Sequence, residues 1–204
     1  MKRRRPKQDR SKAIVKSVVQ ATVQLLQAGD ERPSIRDIAK RAGVGVGSVY
    51  DYFEGREGVL FAIVEHLTKK NFDDLDAVLD EDPEAPAFDA LAKVLDRVLD
   101  LYLSDPALTR VALRAIIGFN TSRAIVAERD RFAARVAERV GREIELPLDD
   151  LYRRTLAIVD MLMGVAMSEI YREPDPKRRA ALRDALRRAL WNELELARRE
   201  AQRS

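Results

Sequence analysis

The chain has 204 residues, of which 46% are hydrophobic and 35% charged, and it contains no cysteine and a single histidine. This composition excludes disulfides, thiolate metal sites, cysteine nucleophiles and multi-histidine metal sites within the chain. The net charge of +3 is uneven, because residues 1–60 hold 13 lysines and arginines against 7 acidic residues. Such an excess at one end is typical of a region that meets a polyanion, and also of an ordinary solubilising tail.

The first residues are basic, but no apolar segment follows them, so no signal peptide is predicted. No apolar run approaches the ~20 residues that a membrane span requires. We therefore expect a cytoplasmic protein without a membrane partner, and nothing in the sequence calls for a cofactor or a metal.

Apolar residues recur at spacings of three and four along most of the chain, which predicts an all-α fold of about nine helices. Gly29 ends the first helix, while Ser34 and Gly43 suit the N-cap and the end of the second. Pro106 and Pro147 suit the starts of two later helices. The predicted helices span residues 9 or 11 to 28, 35–42, 46–53, 56–79, 87–103, 106–118, 121–143, 149–172 and 177–199.

Residues 34–53 have the spacing of a helix-turn-helix. Two short helices that cross steeply need a small residue where they approach and a turn residue that tolerates positive φ. Ala39 and Gly43, four residues apart, meet these two needs. The side chains expected to form the shared core are Ile38, Ala42, Val44, Val49 and Tyr52.

This segment resembles the N-terminal domain of the TetR family of bacterial regulators. The residues that carry the resemblance are 35–39, 42–44, 47–50, 52–53, 56–57 and Leu60. Two glycines depart from the family pattern, because Gly45 and Gly55 stand where polar capping residues are usual. The resemblance implies an N-terminal arm and DNA-binding domain over residues 1–54, and an effector-binding and dimerisation domain over residues 55–204.

By the same resemblance, the chain is expected to be a transcription regulator rather than an enzyme. The expected partners are a second copy of the chain, a palindromic double-stranded DNA operator and a small-molecule effector that releases a repressor from the operator. A DNA-binding activator or architectural regulator without an effector remains open. A helical enzyme is remote, because the sequence has no nucleophile with a base, metal-ligand cluster or Gly-rich phosphate loop.

Chemistry and resemblance together give the expected DNA contacts. Val46, Gly47 and Ser48 lack bulk on the outer face of the second short helix, so its backbone can approach base edges in the major groove. Asp51 either accepts from a cytosine amino group or points away from the phosphates, and we favour the second reading. The expected phosphate contacts are Ser34, Arg36, Tyr50, Tyr52 and Arg56, with core packing as the alternative for both tyrosines.

Residues 2–16 carry eight basic side chains against one acidic side chain. This basic arm either enters an adjacent minor groove or adds nonspecific attraction to DNA.

The last two helices are expected to pair with those of a second subunit, as the resemblance implies. Their apolar stripes are wide enough to be covered on two sides, although a monomeric bundle is the alternative. Trp191 lies beside the stripe and is a candidate anchor at the rim of the interface. The interface residues expected from these stripes are Ile158, Leu162, Leu186, Leu190 and Leu194.

Effector contacts are expected, again by resemblance, from polar or flexible side chains among apolar ones. Asp160 interrupts an apolar run on a helix expected to be buried, so either Arg114 or a ligand group would have to satisfy its carboxylate. A purely internal Asp–Arg pair explains the same pattern equally well. The candidate residues are His66, Asn71, Arg114, Asn120, Asp160 and Met163, each of which is individually more often an ordinary core or surface residue.

Overall fold

The computed structural model describes residues 5–30, 32–105, 108–111 and 123–203, and regular secondary structure within them is entirely helical. The all-α prediction is therefore confirmed. In this part of the chain, no helix combines the length and the apolar character that crossing a membrane requires. The helices are α1 (Arg5–Gln27), α2 (Ile35–Ala42), α3 (Val46–Tyr50), α4 (Gly55–Leu79), α5 (Ala87–Leu103), α6 (Arg123–Gly141), α7 (Leu148–Glu169) and α8 (Pro176–Ala201).

The predicted boundaries are close to these, with three instructive differences. α1 begins at Arg5, so much of the expected basic arm is the first part of a helix. α3 ends at Tyr50 instead of residue 53, because the backbone turns there on its way to the positive φ of Gly55. Of the helix predicted at 106–118, residues 108–111 are described and helical, and the remainder lies outside the described residues.

The chain forms two compact units, and the first comprises residues 1–68 and 105–122. This unit extends beyond residue 54, the expected end of the DNA-binding domain. The reason is that Val59 and Ile63, in the first half of α4, belong to the same apolar core as α1, α2 and α3. The other buried members of this core are Val18, Val19, Leu26, Ile38, Ala39, Val49 and Phe53.

The second unit comprises residues 69–104 and 123–204. Its core joins the second half of α4 to α5, α6, α7 and α8, and Phe72 and Phe132 pack there with ring centroids 5.7 Å apart. Trp191 of α8, although partly exposed, meets Phe88 of α5 edge to face at 4.9 Å. Trp191 is thus fixed against its own chain.

Two side chains form hydrogen bonds with backbone groups at the start of α5 in the second unit. Pro86 provides no side-chain cap, and the backbone N–H of Ala87 instead donates to Oε1 of Glu143 at 2.6 Å. The buried Arg139 donates to the carbonyl of Ala85 and pairs with Glu143 at 3.3 Å. A helix start that would otherwise leave unsatisfied N–H groups is therefore tied to α6 and the turn after it.

The structure buries four of the five expected interface residues inside a single chain. Leu190 and Leu194 belong to the core of the second unit, and Leu162 and Leu186 are also buried. Ile158 is partly buried against the same core. The apolar stripes were therefore correct, but they serve packing within the chain.

Candidate nucleic-acid interface and candidate ligand cavity

The turn between α2 and α3 has the geometry of a tight helix-turn-helix. Gly43 ends α2 at φ 68° and ψ 31°, in the left-handed region. The N–H of Val44 donates to the carbonyl of Ala39 at 3.0 Å, which closes the turn. A Cβ built on Gly43 would meet nothing within 4 Å, so the backbone conformation, and not lack of space, is what favours glycine here.

The start of α2 carries the predicted cap. Ser34 Oγ accepts from the N–H of Asp37 at 3.2 Å and donates to Asp37 Oδ2 at 2.5 Å. This reciprocal arrangement orders the first turn of α2. The cap function expected of Ser34 is confirmed, while its phosphate contact remains a prediction.

Helix α3 has one buried anchor and an open outer face. Val49 is fully buried in the core of the first unit, whereas Val46 is 39% exposed and Tyr50 60% exposed. Gly47 is exposed and Ser48 half-buried. A Cβ on Gly47 would meet nothing within 4 Å, so no internal contact requires a glycine at this position. The face predicted to meet base edges is therefore accessible and nearly bare.

The two tyrosines expected at phosphates are not core residues. Tyr50 is mostly exposed, and Tyr52 is 41% exposed. The Tyr52 hydroxyl lies 3.1 Å from Ser11 Oγ, which connects α1 to the segment after α3. Core packing, the alternative considered for both side chains, therefore describes neither of them. Asp51, which follows α3, is also exposed.

Two arginines of this unit, Arg36 and Arg56, lack an ion-pair partner among the described residues. Arg36 is exposed, whereas Arg56 is half-buried. Arg56 Nε is shielded from solvent and has no hydrogen-bond partner in the described ranges. Because no carboxylate of a described residue neutralises these two side chains, their charge is available to an anion.

The second unit contains a cavity of about 440 Å³ between α5, α6, α7 and α8. Its wall is apolar except for Arg154, Thr155 and Glu193. The volume lies within the roughly 300–1,000 Å³ range of small-molecule sites. Among the side chains that form its wall are Leu91, Val94, Phe132, Val136, Ile158, Met161, Leu162, Leu190 and Leu194.

None of the described effector candidates lines this cavity. His66 is exposed, Asn71 is half-buried on α4, and Met163 accepts a 2.9 Å hydrogen bond from the Tyr102 hydroxyl. Arg114 and Asn120 lie outside the described residues.

The burial expected of Asp160 is wrong. Its side chain is 53% exposed, and Oδ1 accepts from Arg129 Nη1 at 2.9 Å. The sequence did not predict the partner, Arg129 on α6, because the spacing of charged residues on a long helix does not show which residue of another helix they will face. The cavity residues were missed for a related reason, since they are ordinary apolar core types. In the described ranges, no group of three or more acidic or histidine side chains is placed to hold a metal ion.

Comparison with known proteins finds relatives of the first unit among bacterial regulators. The sequence profile of the tetR family of bacterial regulatory proteins matches residues 18–63, which span the core of the first unit. An HTH-type transcriptional regulator of Staphylococcus aureus is 33% identical over 79 residues, or 38% of this chain and 41% of that protein. The nucleoid occlusion factor SlmA of Haemophilus influenzae is 27% identical over 112 residues, or 55% of this chain and 47% of SlmA.

The matches therefore span less than half the length of these two relatives. The fold likeness is broader. The TetR-family repressor AlkX of a Dietzia species is similar at a TM-score of 0.65 and 18% identity, covering 90% of this chain and 97% of AlkX.

Proposed function

Since this chain belongs to the TetR family of bacterial DNA-binding regulators, we propose that it is a homodimeric repressor of a palindromic operator. In this proposal, a small molecule that occupies the cavity of the second unit releases the repressor. The observation that carries the proposal is the exposed, nearly bare face of α3, held by Val49 beside two arginines, Arg36 and Arg56, that form no ion pair with a described residue.

In the proposed complex, α3 lies in the major groove. Val46, Gly47 and Ser48 face base edges, because they are the accessible residues at the start of α3. The side chains around these three residues contact phosphates. Such contacts fix the orientation of the helix on the duplex. These side chains are Ser34, Arg36, Tyr50, Tyr52 and Arg56.

The test is selection of duplexes from a random pool by the full chain, followed by binding measurements at several salt concentrations. We expect a palindromic site and an affinity that falls steeply as salt rises, because phosphate contacts release counterions. Ser48→Ala should change the base preference at one position in each half-site, while the exposed Ser168→Ala on α7 serves as the matched control. Selection of no preferred sequence would contradict the proposal.

The proposed dimer surface is the exposed face of α7 and α8. Met161 and Gly164 on α7 share that face with Ala157, at spacings of four and three, and all three are exposed. On α8, Ala181, Ala185, Ala189 and Leu196 follow the same kind of stripe and are exposed. Small residues let helices approach closely, and Met161 and Leu196 supply apolar area.

Light scattering on the full chain tests this surface. Ala185→Arg should convert the dimer to a folded monomer, because it places an unpaired charge on the contact face. Ala127→Arg on the exposed surface of α6 is the matched control and should remain dimeric. Leu190→Arg is not a test of the dimer, since Leu190 belongs to the core of its own chain.

A ligand can release DNA only if it prefers a conformation in which the two α3 helices are wrongly spaced. The cavity supports a ligand-responsive function. A second candidate, a DNA-binding regulator without a small-molecule effector, is favoured by the observation that none of the described effector candidates lines the cavity. Operator affinity measured with and without cavity ligands separates the two, because only the first candidate expects a change.

A further inference from the structure

The side chains of α3 include few groups that can form a base-specific hydrogen bond. The helix consists of Val46, Gly47, Ser48, Val49 and Tyr50. Base pairs in the major groove are usually distinguished by side chains that make two hydrogen bonds to one base, namely arginine or lysine to guanine and asparagine or glutamine to adenine. α3 contains none of these four residue types, and the hydroxyl of Ser48 can donate or accept at any base pair. A sequence preference read by α3 therefore needs another kind of contact.

Val46 can supply an apolar contact instead. Its side chain is 39% exposed, and among the described side chains of the first unit it is the one exposed aliphatic side chain larger than alanine. The other large apolar residues exposed in the described part of this unit, Tyr50 and Tyr52, end in hydroxyl groups. Val49, which is fully buried, is the residue that anchors α3 in the core. Val46 is therefore an apolar side chain that the fold leaves at the surface.

The sequence neighbours of Val46 leave its side chain accessible to a partner. Gly45 and Gly47 carry no side chain. A Cβ built on Gly47 would meet nothing within 4 Å, and one on Gly45 would meet only Ser48 Oγ, at 3.9 Å. Packing within the protein therefore does not require glycine on either side of Val46. With both neighbours bare, the two γ-methyl groups of Val46 can reach the edge of a base while the backbone of α3 approaches the duplex closely.

The apolar group that the major groove offers in return is the C5-methyl group of thymine. Apolar side chains recognise thymine by contact with this group. Burying one methyl group changes an equilibrium constant by about fourfold. A purine N7 or an amino group that faced Val46 would instead lose water without gaining a hydrogen-bond partner. Val46 therefore favours thymine over the other three bases at the position that it contacts.

On the basis of the proposed operator binding, we infer that Val46 recognises the C5-methyl group of one thymine in each half-site. A dimer presents two copies of Val46, so the palindromic operator contains two such thymines. Arg36 and Arg56, which form no ion pair with a described residue, contact phosphates and contribute affinity without sequence information. Val46 is thus a specificity-determining residue of the interface.

The first test compares the duplexes that three full-length proteins select from a random pool. Val46→Ala removes both γ-methyl groups, so the base pair whose preference it weakens is the one that Val46 contacts. Val126→Ala on α6 is the matched control, because Val126 is 40% exposed and lies in the second unit. We expect the affected pair to be T·A in the wild-type site, and Val126→Ala to select the wild-type site. Another base pair at that position, or an identical site for wild type and Val46→Ala, overturns the inference.

The second test removes the methyl group alone. Uracil in place of the thymine keeps every hydrogen bond of the base pair. Wild type should lose about fourfold in affinity for each substituted half-site, and roughly fifteenfold for both. This loss should be the same at low and high salt, because the methyl group displaces no counterion. Val46→Ala should bind the thymine and uracil operators with nearly equal affinity, whereas Val126→Ala should behave as wild type.

The outcomes separate this inference from the function on which it rests. If an operator is selected and binds with a steep salt dependence, but wild type does not distinguish uracil from thymine, operator binding stands and only the inference is overturned. The same follows if Val46→Ala retains the full loss with uracil, because another side chain then contacts the methyl group. If no preferred sequence is selected, the proposed operator binding fails and the inference fails with it.

Discussion

Between residues 10 and 68, residue 31 aside, eight lysines and arginines form no ion pair with a described residue. In the second unit, by contrast, twelve arginines are paired with carboxylates. Both units are helical and rich in arginine, so composition does not distinguish them. The paired residues are Arg97, Arg129, Arg131, Arg135, Arg139, Arg153, Arg154, Arg172, Arg178, Arg183, Arg187 and Arg198.

One tyrosine of each unit shows the same difference. Tyr50 of the first unit is exposed, whereas Tyr102 of the second unit donates to Met163 Sδ within the fold. Eight cations of the first unit are thus available to a partner, whereas twelve arginines of the second unit are paired within the fold. Paired charges hold helices to one another, while unpaired charges beside a bare helix face are what a polyanion requires.

The largest expected effect comes from two substitutions of the same kind on opposite faces of α3. Val49→Asp places an unpaired carboxylate in the core of the first unit and should destabilise that unit by about 3 kcal/mol or more. DNA affinity should then fall at least a hundredfold. Hydrogen exchange should show loss of protection in α1–α3 with the helices of the second unit still protected.

Val46→Asp is the control, since Val46 is exposed. It should leave the unfolding free energy within about 0.5 kcal/mol of wild type and weaken DNA binding through repulsion from phosphates. Equal loss of stability in both variants would contradict the description of α3 as a helix with one buried face and one exposed face.

The burial of Tyr102 predicts that the stability of the second unit depends on pH in the alkaline range. Burial raises the pKa of Tyr102 from 10.0 to about 12, because the charged form is poorly solvated in the fold. Below pH 10 the hydroxyl is neutral in both states and its contribution is fully present. Between pH 10 and 12 the unfolded chain ionises first, so stability should fall by up to about 2 kcal/mol.

Urea unfolding at pH 9 and pH 11.5 measures this loss. Tyr102→Phe should reduce the loss of stability between pH 9 and pH 11.5, because it removes the ionisable hydroxyl. Tyr171→Phe, which changes an exposed tyrosine of the same unit, should leave that loss unchanged. The same alkaline slope in all three proteins would show that Tyr102 is hydrated in solution.

Two arginine substitutions test the charge contrast directly. Arg36→Ala should weaken binding to all duplexes by about tenfold and reduce the salt slope by about 1, while stability stays near that of wild type. Arg183 pairs with Asp96 at 3.2 Å and Asp100 at 2.5 Å. Arg183→Ala should lower stability by about 1 kcal/mol and leave DNA binding unchanged. The reverse pattern would refute the division between the units.

The sequence predicts the first unit better than the second. Ser34, Ala39 and Gly43 have local roles in capping, close approach and a positive φ, so a short segment is enough to recognise them. The open face of α3 follows from the same local pattern. Helix existence was also predictable, because the apolar period of 3.6 is repeated along the chain.

The second unit depends on pairings that no local pattern contains. Leu162 and Leu190 have the spacing of an interface stripe, but which partner covers them is settled by helix packing within the chain. Asp160 was expected to be buried because its neighbours in sequence are apolar, yet it lies on an exposed face beside Arg129. Ion pairs between residues tens of positions apart require the three-dimensional arrangement.

The smallest expected effect concerns the N-cap of α3. Gly45 has φ −70° and ψ 146°, a conformation open to any residue, and it provides no side-chain hydrogen bond. A Cβ there would meet only Ser48 Oγ, at 3.9 Å. Gly45→Ser can therefore place a hydroxyl oxygen at the free N–H groups of α3, and stability of the first unit should rise by a few tenths of a kcal/mol.

Gly45→Ala adds the same Cβ without the hydroxyl. Comparing the two variants therefore distinguishes the effect of the capping hydroxyl from the effect of a less flexible backbone. Hydrogen exchange of the α3 amides should slow in Gly45→Ser and not in Gly45→Ala, while the helices of the second unit stay unchanged. DNA affinity should rise by up to about threefold in the serine variant, because a pre-ordered α3 loses less entropy on binding. If both variants bind DNA worse than wild type, the glycine is needed for close approach to the duplex, and flexibility of α3 is not what limits affinity.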